Sequence, residues 1–147
     1  MLKNIVETLR RKHCSLVVEA RGKQYLFYKK GVRDLEDLLN RSPELLEGAT
    51  IADRVTGKAA AGMIVVGKVK RLYADVLSRK ALPLLDSAGI DYSCGQLVEA
   101  ILVPEGDSSC QLEKIVSPAT TAEEVVEMLR THFAEMQEKH NKKRPAS

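Results

Sequence analysis

The spacing of hydrophobic positions changes several times along the chain. Leu2, Ile5, Val6 and Leu9 recur at helical intervals and predict a first helix from about Leu2 to Lys12 with one apolar face. Cys14 to Val18 and Gln24 to Tyr28 read as two strands of a hairpin around Ala20-Arg21-Gly22-Lys23. Leu35, Leu38 and Leu39 form a second helical stripe, with Asp34 as its cap, and Ser42-Pro43-Glu44 is a fresh start with proline at its first position. The run Thr50-Ile51-Ala52 then predicts a strand, Asp53 and the residues through Thr56 and Gly57 a polar turn, and Ala59 to Val66 a helix that is apolar on every side. Such a helix is buried all round. Leu72 to Leu77 is a near-continuous apolar strand, suited to a sheet covered on both faces.

Beyond this central unit, Ala81, Leu82, Leu84, Leu85 and Ala88 make a helix stopped by Gly89, with Pro83 tolerable in its first turn. Ile90-Asp91-Tyr92 is a short strand, and Leu97 to Val103 a longer apolar element whose length fits strand or helix. Cys110 to Val116 reads as a short helix with Ser109 as its cap. Thr121 and Glu124 form a capping box at the start of a last helix, on which Val125, Leu129, His132 and Met136 share a face. Strands alternating with helices after an opening hairpin imply an α/β fold, a three-layer α/β/α sandwich with a mixed sheet. The expected division is a domain over residues 1–117, a C-terminal helix over 118–140 packed on it or extending from it, and a basic tail over 141–147.

At 147 residues one domain is the default, and folding then buries roughly 70% of the surface that the unfolded chain exposes. The net charge of +3 is small and is concentrated in Lys139, Lys142, Lys143 and Arg144, so the body is nearly neutral and charge does not favour nucleic acid. Aromatic residues are 4% with no Trp, too few for a single-strand stacking platform. Cys14, Cys94 and Cys110 are an odd number of separated thiols with no CxxC, which implies reduced cysteines and a cytoplasmic location. No run approaches the roughly 18–20 apolar residues that span a bilayer, so no membrane association is expected.

Right-handed crossovers bring the carboxyl ends of parallel strands and the N-termini of the following helices to one edge, where open α/β sheets bind ligands. Asp53, Thr56, Gly57 and Lys58 fall at one such edge and Ser78 at the next. A helix N-terminus favours an anion, Gly57 permits its close approach, and Lys58 and Thr56 add a charge and a hydroxyl. The earlier glycine of a phosphate loop is absent, since Ala52 stands five residues before Gly57. Asp53 either acts as a base raised by burial or caps the helix; Lys58 either grips a ligand or neutralises Asp53 or Asp75. Cys110 at a helix start has the placement of an activated nucleophile, with Glu113 one turn on, or is a buried core thiol.

The run ADRVTGKAAAGMIVVGKVKRLYADVLSRKALPLL, the preceding GVRDLEDLL and the later CQLE resemble the bacterial DUF1893 family, with its motif close to A-D-x-V-x-G-K-A-A, its Y-A-D-V strand and its C-x-x-E. The resemblance covers most of residues 1–116 and implies a cytidine-deaminase-like fold with no established activity. Zinc deaminases carry H-x-E and P-C-x-x-C at two helix starts. Here those starts fall near Asp53–Lys58 and Ser78–Ala81, and neither holds His or Cys, so zinc-dependent deamination is rejected and no cofactor is expected. The expected function is binding of a small anionic, nucleotide-like metabolite, with Asp53, Lys58 and Cys110 as candidate catalytic residues and Thr56, Gly57, Lys58, Asp75, Ser78 and Glu113 as candidate ligand contacts. The alternative is a non-catalytic interaction module, in which the helix from Thr121 to Gln137 docks a partner or a second copy as a homo-oligomer.

Overall fold

The computed structural model describes residues 2–29, 32–101 and 108–143, the side chains of 108–110 and 140–143 excepted. Helix α1 (Leu2–Arg11) precedes a hairpin of β1 (Leu16–Ala20) and β2 (Lys23–Phe27). Its two-residue turn holds Arg21 and Gly22 both at positive φ, the backbone twist that lets two strands reverse without splaying. Next come α2 (Arg33–Arg41), a 3-10 turn at Pro43–Leu45, β3 (Thr50–Thr56), α3 (Lys58–Val66) and β4 (Arg71–Ser78). A second 3-10 turn at Arg79–Ala81 runs into α4 (Leu82–Ser87), followed by β5 (Asp91–Val98), α5 (Ser108–Val116) and α6 (Ala122–Lys143).

The strands make one five-stranded sheet in the order β2-β1-β3-β4-β5, antiparallel from β2 to β3 and parallel from β3 to β5. Helices lie on both faces, as an α/β/α sandwich requires. On one face α1 packs Ile5 and Leu9 against Val17, Ala52 and Tyr73. The other face carries the larger core, to which α2 through α6 all contribute. There α3 occupies the centre, in contact with α2, α4, α5 and α6. This explains why it lacks a polar face: residues Ala59 to Ile64 are all buried. Met63 and Ile64 each contribute about 2–3 kcal/mol relative to exposure, and the run of alanines with Gly62 lets the outer helices approach closely.

Three expected boundaries are corrected. β3 does not turn at Asp53 but continues to Thr56, leaving Gly57 as the only residue between strand and helix. β5 is one strand from Asp91 to Val98, so the expected element from Leu97 to Val103 is absent as far as Ile101; residues 102 and 103 lie outside the described residues. α6 runs from Ala122 to Lys143, three residues past the expected end at 140, and its Ala122, Val125, Val126 and Leu129 are buried in the main core. One half of the expected capping box is seen, the Glu124 amide donating to Thr121 Oγ1 at 3.1 Å, while the Glu124 carboxylate accepts the Thr120 hydroxyl at 2.8 Å. Asp34, expected to cap α2, instead accepts the Lys29 amide at 3.0 Å, and the residue before the helix is Val32. No helix among the described residues is long and apolar enough to cross a membrane.

Candidate functional site

A regular strand points residues i and i+3 to opposite faces, yet Asp53 and Thr56 of β3 are both buried and hydrogen-bonded to one another, the Thr56 hydroxyl donating to Asp53 Oδ2 at 2.8 Å. The ladder explains this. Pairing of β3 with β4 steps over Arg54–Asp75, and pairing of β4 with β5 steps over Asp75–Gly95. Across that row the alternation slips, so that Ala74 and Leu77 of β4, three residues apart, belong to the same core. The Thr56 hydroxyl is bonded to the Asp53 carboxyl rather than left to solvent, a local side-chain bond of the kind that competes with regular strand pairing. Gly95 completes the row, since a Cβ there would sit 2.9 Å from both the Asp75 carbonyl oxygen and the Tyr73 hydroxyl.

Asp53 sits where the pairing of β3 with β1 ends, three residues before the carboxyl end of β3 at Thr56. Its burial pushes the carboxyl up to about 7, against the Thr56 hydroxyl and the neighbouring Arg54 and Val55 backbone, which favour the charged form; the nearby Asp75 adds a smaller upward push. Next to it in the ladder, Leu16 begins β1, and the Ser15 carbonyl accepts the Arg54 amide. Asp34 reaches this same end of the sheet, where Ser15 Oγ donates to its Oδ2 at 3.4 Å. It too is buried, and burial raises its carboxyl. Two buried acids thus stand at one end of the sheet.

The start of α3 binds an anion, as anticipated for a helix N-terminus, but the anion belongs to the chain. Glu113 of α5 accepts the Lys58 amide at Oε1 (2.8 Å) and the Ala59 amide at Oε2 (2.9 Å). Gly57 makes room for it, because a Cβ there would fall 2.5 Å from Oε1. Lys58 returns the contact. Its Nζ donates to the carbonyls of Ser117 (2.9 Å) and Ala119 (2.5 Å), just past the end of α5, rather than pairing with Asp53 or Asp75. Each helix end thus receives the charge that its dipole favours. Replacing Glu113 with Ala should cost about 1–2 kcal/mol of stability, the range for losing a helix cap, and urea unfolding checks it; an unchanged midpoint would mean that the clasp adds nothing.

The remaining candidates divide between two places. Ser78 caps the 3-10 turn after β4, accepting the Lys80 amide at 3.1 Å and donating to the Glu99 carbonyl at 3.5 Å. Asp75 faces α1 instead, 3.6 Å from Arg10, whose Nη2 donates to the Tyr73 hydroxyl at 2.9 Å. It does not join Asp53 and Thr56. Cys110 lies in α5, one turn before Glu113; its side chain is outside those described. Sequence reading missed Arg54, which ties β3 to α1 and to the loop before β1 by donating to the carbonyls of Leu9 (3.2 Å) and Cys14 (2.6 Å). It missed Arg10 and Tyr73 as well. The helix starts after β3 and β4 present Gly57-Lys58 and Arg79-Lys80-Ala81, cations where a zinc site needs thiolate or imidazole, so these residues do not fit zinc. Among the described residues no three His, Cys, Asp or Glu side chains come together as metal ligands.

With this geometry in hand, the chain can be set beside known proteins. A crystal structure of a DUF1893 family protein from Thermotoga maritima superposes with a TM-score of 0.79 and 26% sequence identity, over 89% of this chain and 88% of the other. No curated protein matches the sequence. The family model described as a domain of unknown function, DUF1893, matches residues 4–133, and so extends past the motifs into α6 as far as Phe133. The chain belongs to the DUF1893 family.

Proposed function

We propose that the protein binds a small anionic, nucleotide-like ligand at the carboxyl edge of β3 and β4, on a cytidine-deaminase-like scaffold that works in the reducing cytoplasm without zinc. One observation carries the reading: Asp53, a carboxyl buried within the first parallel strand three residues before its carboxyl end, is held by Thr56 at that end, and burial raises it to about 7. Buried acids so placed are more often found at working sites than elsewhere. In this reading Asp53 moves the proton in any chemistry. The ligand's anion takes the two amides at the start of α3 that Glu113 holds, and Lys58, released from α5, becomes its counter-charge. Asp34 and Ser78 border the same edge, and Cys110 on α5 is the candidate nucleophile.

Thermal unfolding against phosphates, nucleotides, nucleosides and bases tests it. A ligand that binds only the folded state at about 100 times its dissociation constant adds roughly 2.7 kcal/mol. One class of anion should stabilise the wild type, stabilise Glu113→Gln more because the competing charge is gone, and leave Lys58→Ala unshifted. A panel that moves none of the folded proteins would remove the ligand reading.

A second reading, the interaction module, retains two supporting features. Val125 and Leu129 of α6 are buried inside, so the stripe expected to dock a partner is already in use. What remains is Met136, half exposed, and a groove of about 490 Å³ between α5 and α6 in which Ile115, Met128 and His132 are flanked by Glu124, Glu127 and Glu135.

A further inference from the structure

The two edges of the sheet are built differently. β2 is five residues long, begins at Lys23, and has Arg21 before it and Lys29 after it. A short edge with flanking lysines resists pairing with another chain. β5 is eight residues long, and from Tyr92 to Val98 it contains no charge and no proline. Among the described residues β5 pairs only with β4, leaving its outer edge without a strand partner. Its apolar side chains are incompletely covered: Tyr92, Cys94 and Val98 are half-buried and Leu97 is 38% exposed. A long, uncharged edge of this kind is a template for another strand, and proteins that remain monomeric blunt it.

We propose that β5 is a homodimer interface, in which two copies pair β5 antiparallel across a two-fold axis near Cys94 and Gly95 to make one continuous sheet. The strand suits a second copy of itself. Antiparallel pairing about a two-fold is isologous, so it closes after two chains and uses both open edges at once. It places Tyr92 of one chain opposite Leu97 of its partner, an aromatic–aliphatic cross-strand pair. Gly95 leaves the centre free of a side chain. The charges at the two ends of the strand are already neutralised within each chain, Arg71 with Asp91 at 3.5 Å and Arg79 with Glu99 at 2.8 Å, so no unpaired like charges meet. An unrelated strand would have to displace an identical edge present at the same concentration wherever the protein is.

The test is mass in solution by light scattering over a dilution series, with a chemical probe at the axis. The wild type should show twice the chain mass. Ser93→Lys with Gln96→Lys, at two exposed positions, should give the single-chain mass with an unaltered circular dichroism spectrum, because lysines then oppose lysines across the axis. In the Cys110→Ser chain, with Cys14 buried, a short bis-maleimide should join the two copies through Cys94. If the lysine variant does not fold, the Cys94 cross-link decides. A monomeric wild type overturns the proposal. So does a dimer that keeps its mass with the lysines in place, or one whose Cys94 pair fails to cross-link, since the interface then lies elsewhere, for example on α6.

Discussion

Between pH 5 and pH 8 the Asp53 carboxyl should remove about 2–3 kcal/mol from the stability of the folded protein, and the Asp53→Asn variant should not show this loss. The direction follows from burial. The folded carboxyl titrates at about 7, above the roughly 3.9 of an unfolded aspartate. Between those values the folded state holds a proton that the unfolded chain has released, so stability from this group is full at low pH and declines as pH rises through the window. Above about 7 both states are ionised and the loss levels off. Other carboxylates add their own pH dependence, so the quantity to compare is the stability difference between wild type and Asp53→Asn, measured by urea unfolding at pH 5 and pH 8. Asn keeps an oxygen to accept the Thr56 hydroxyl and cannot ionise. A difference that stays constant over the range would show that Asp53 is not a neutral acid in the folded protein, and the acid–base role proposed for it would fall with it.

Gly62→Ala is the second large effect, a loss of about 2–3 kcal/mol, within the range for overpacking a filled core. In an exposed helix this substitution would be favourable by about 1 kcal/mol. Gly62, however, is the point where α3 passes beneath α6, and an added Cβ would overlap the Val125 side chain. Val125 is fully buried, with no space to yield into. The loss should be partly restored by Val125→Ala, which on its own costs about 2 kcal/mol by leaving a cavity. A double-mutant cycle in urea should therefore give a favourable coupling of 0.5 kcal/mol or more. Additive losses would mean that α6 shifts on α3 at little cost, contrary to a helix held in the main core.

Much of the fold was legible from local pattern because its elements are consistent with their own sequences. A helix apolar on every side has one stable location, the middle of a layered domain, and α3 is there. Arg21-Gly22, Pro83 in the first turn of α4, and Thr121 with Glu124 act within a few residues of themselves, and all stand as their chemistry dictates. The errors have local causes too. Asp53 reads as the end of the β3 strand because an acid and a following Thr-Gly suggest a turn, whereas the carboxyl is bonded by the Thr56 hydroxyl and the strand continues. Leu97 to Val103 looked like a separate element because apolarity alone does not say where a strand stops.

The site was legible only as a set of residue types. Asp53, Thr56, Gly57 and Lys58 are adjacent in sequence and fall at one sheet edge, as the order of strands and helices required. What they touch was set by long-range packing. Glu113 lies more than fifty residues from the amides it binds, and Lys58 turns to the carbonyls beyond α5 because α5 and α3 meet end to end. Asp75, a mid-strand acid expected as a ligand contact at the same edge, lies instead on the α1 face, 3.6 Å from Arg10. Such partnerships depend on which surfaces are left after the core has closed. Sequence by itself determined the layers, the buried central helix and the position of the polar edge, since hydrophobic period and helix caps act over a few residues. Only the tertiary structure decided which charges meet there, because hydrogen bonds and ion pairs between distant segments form where packing brings those segments together.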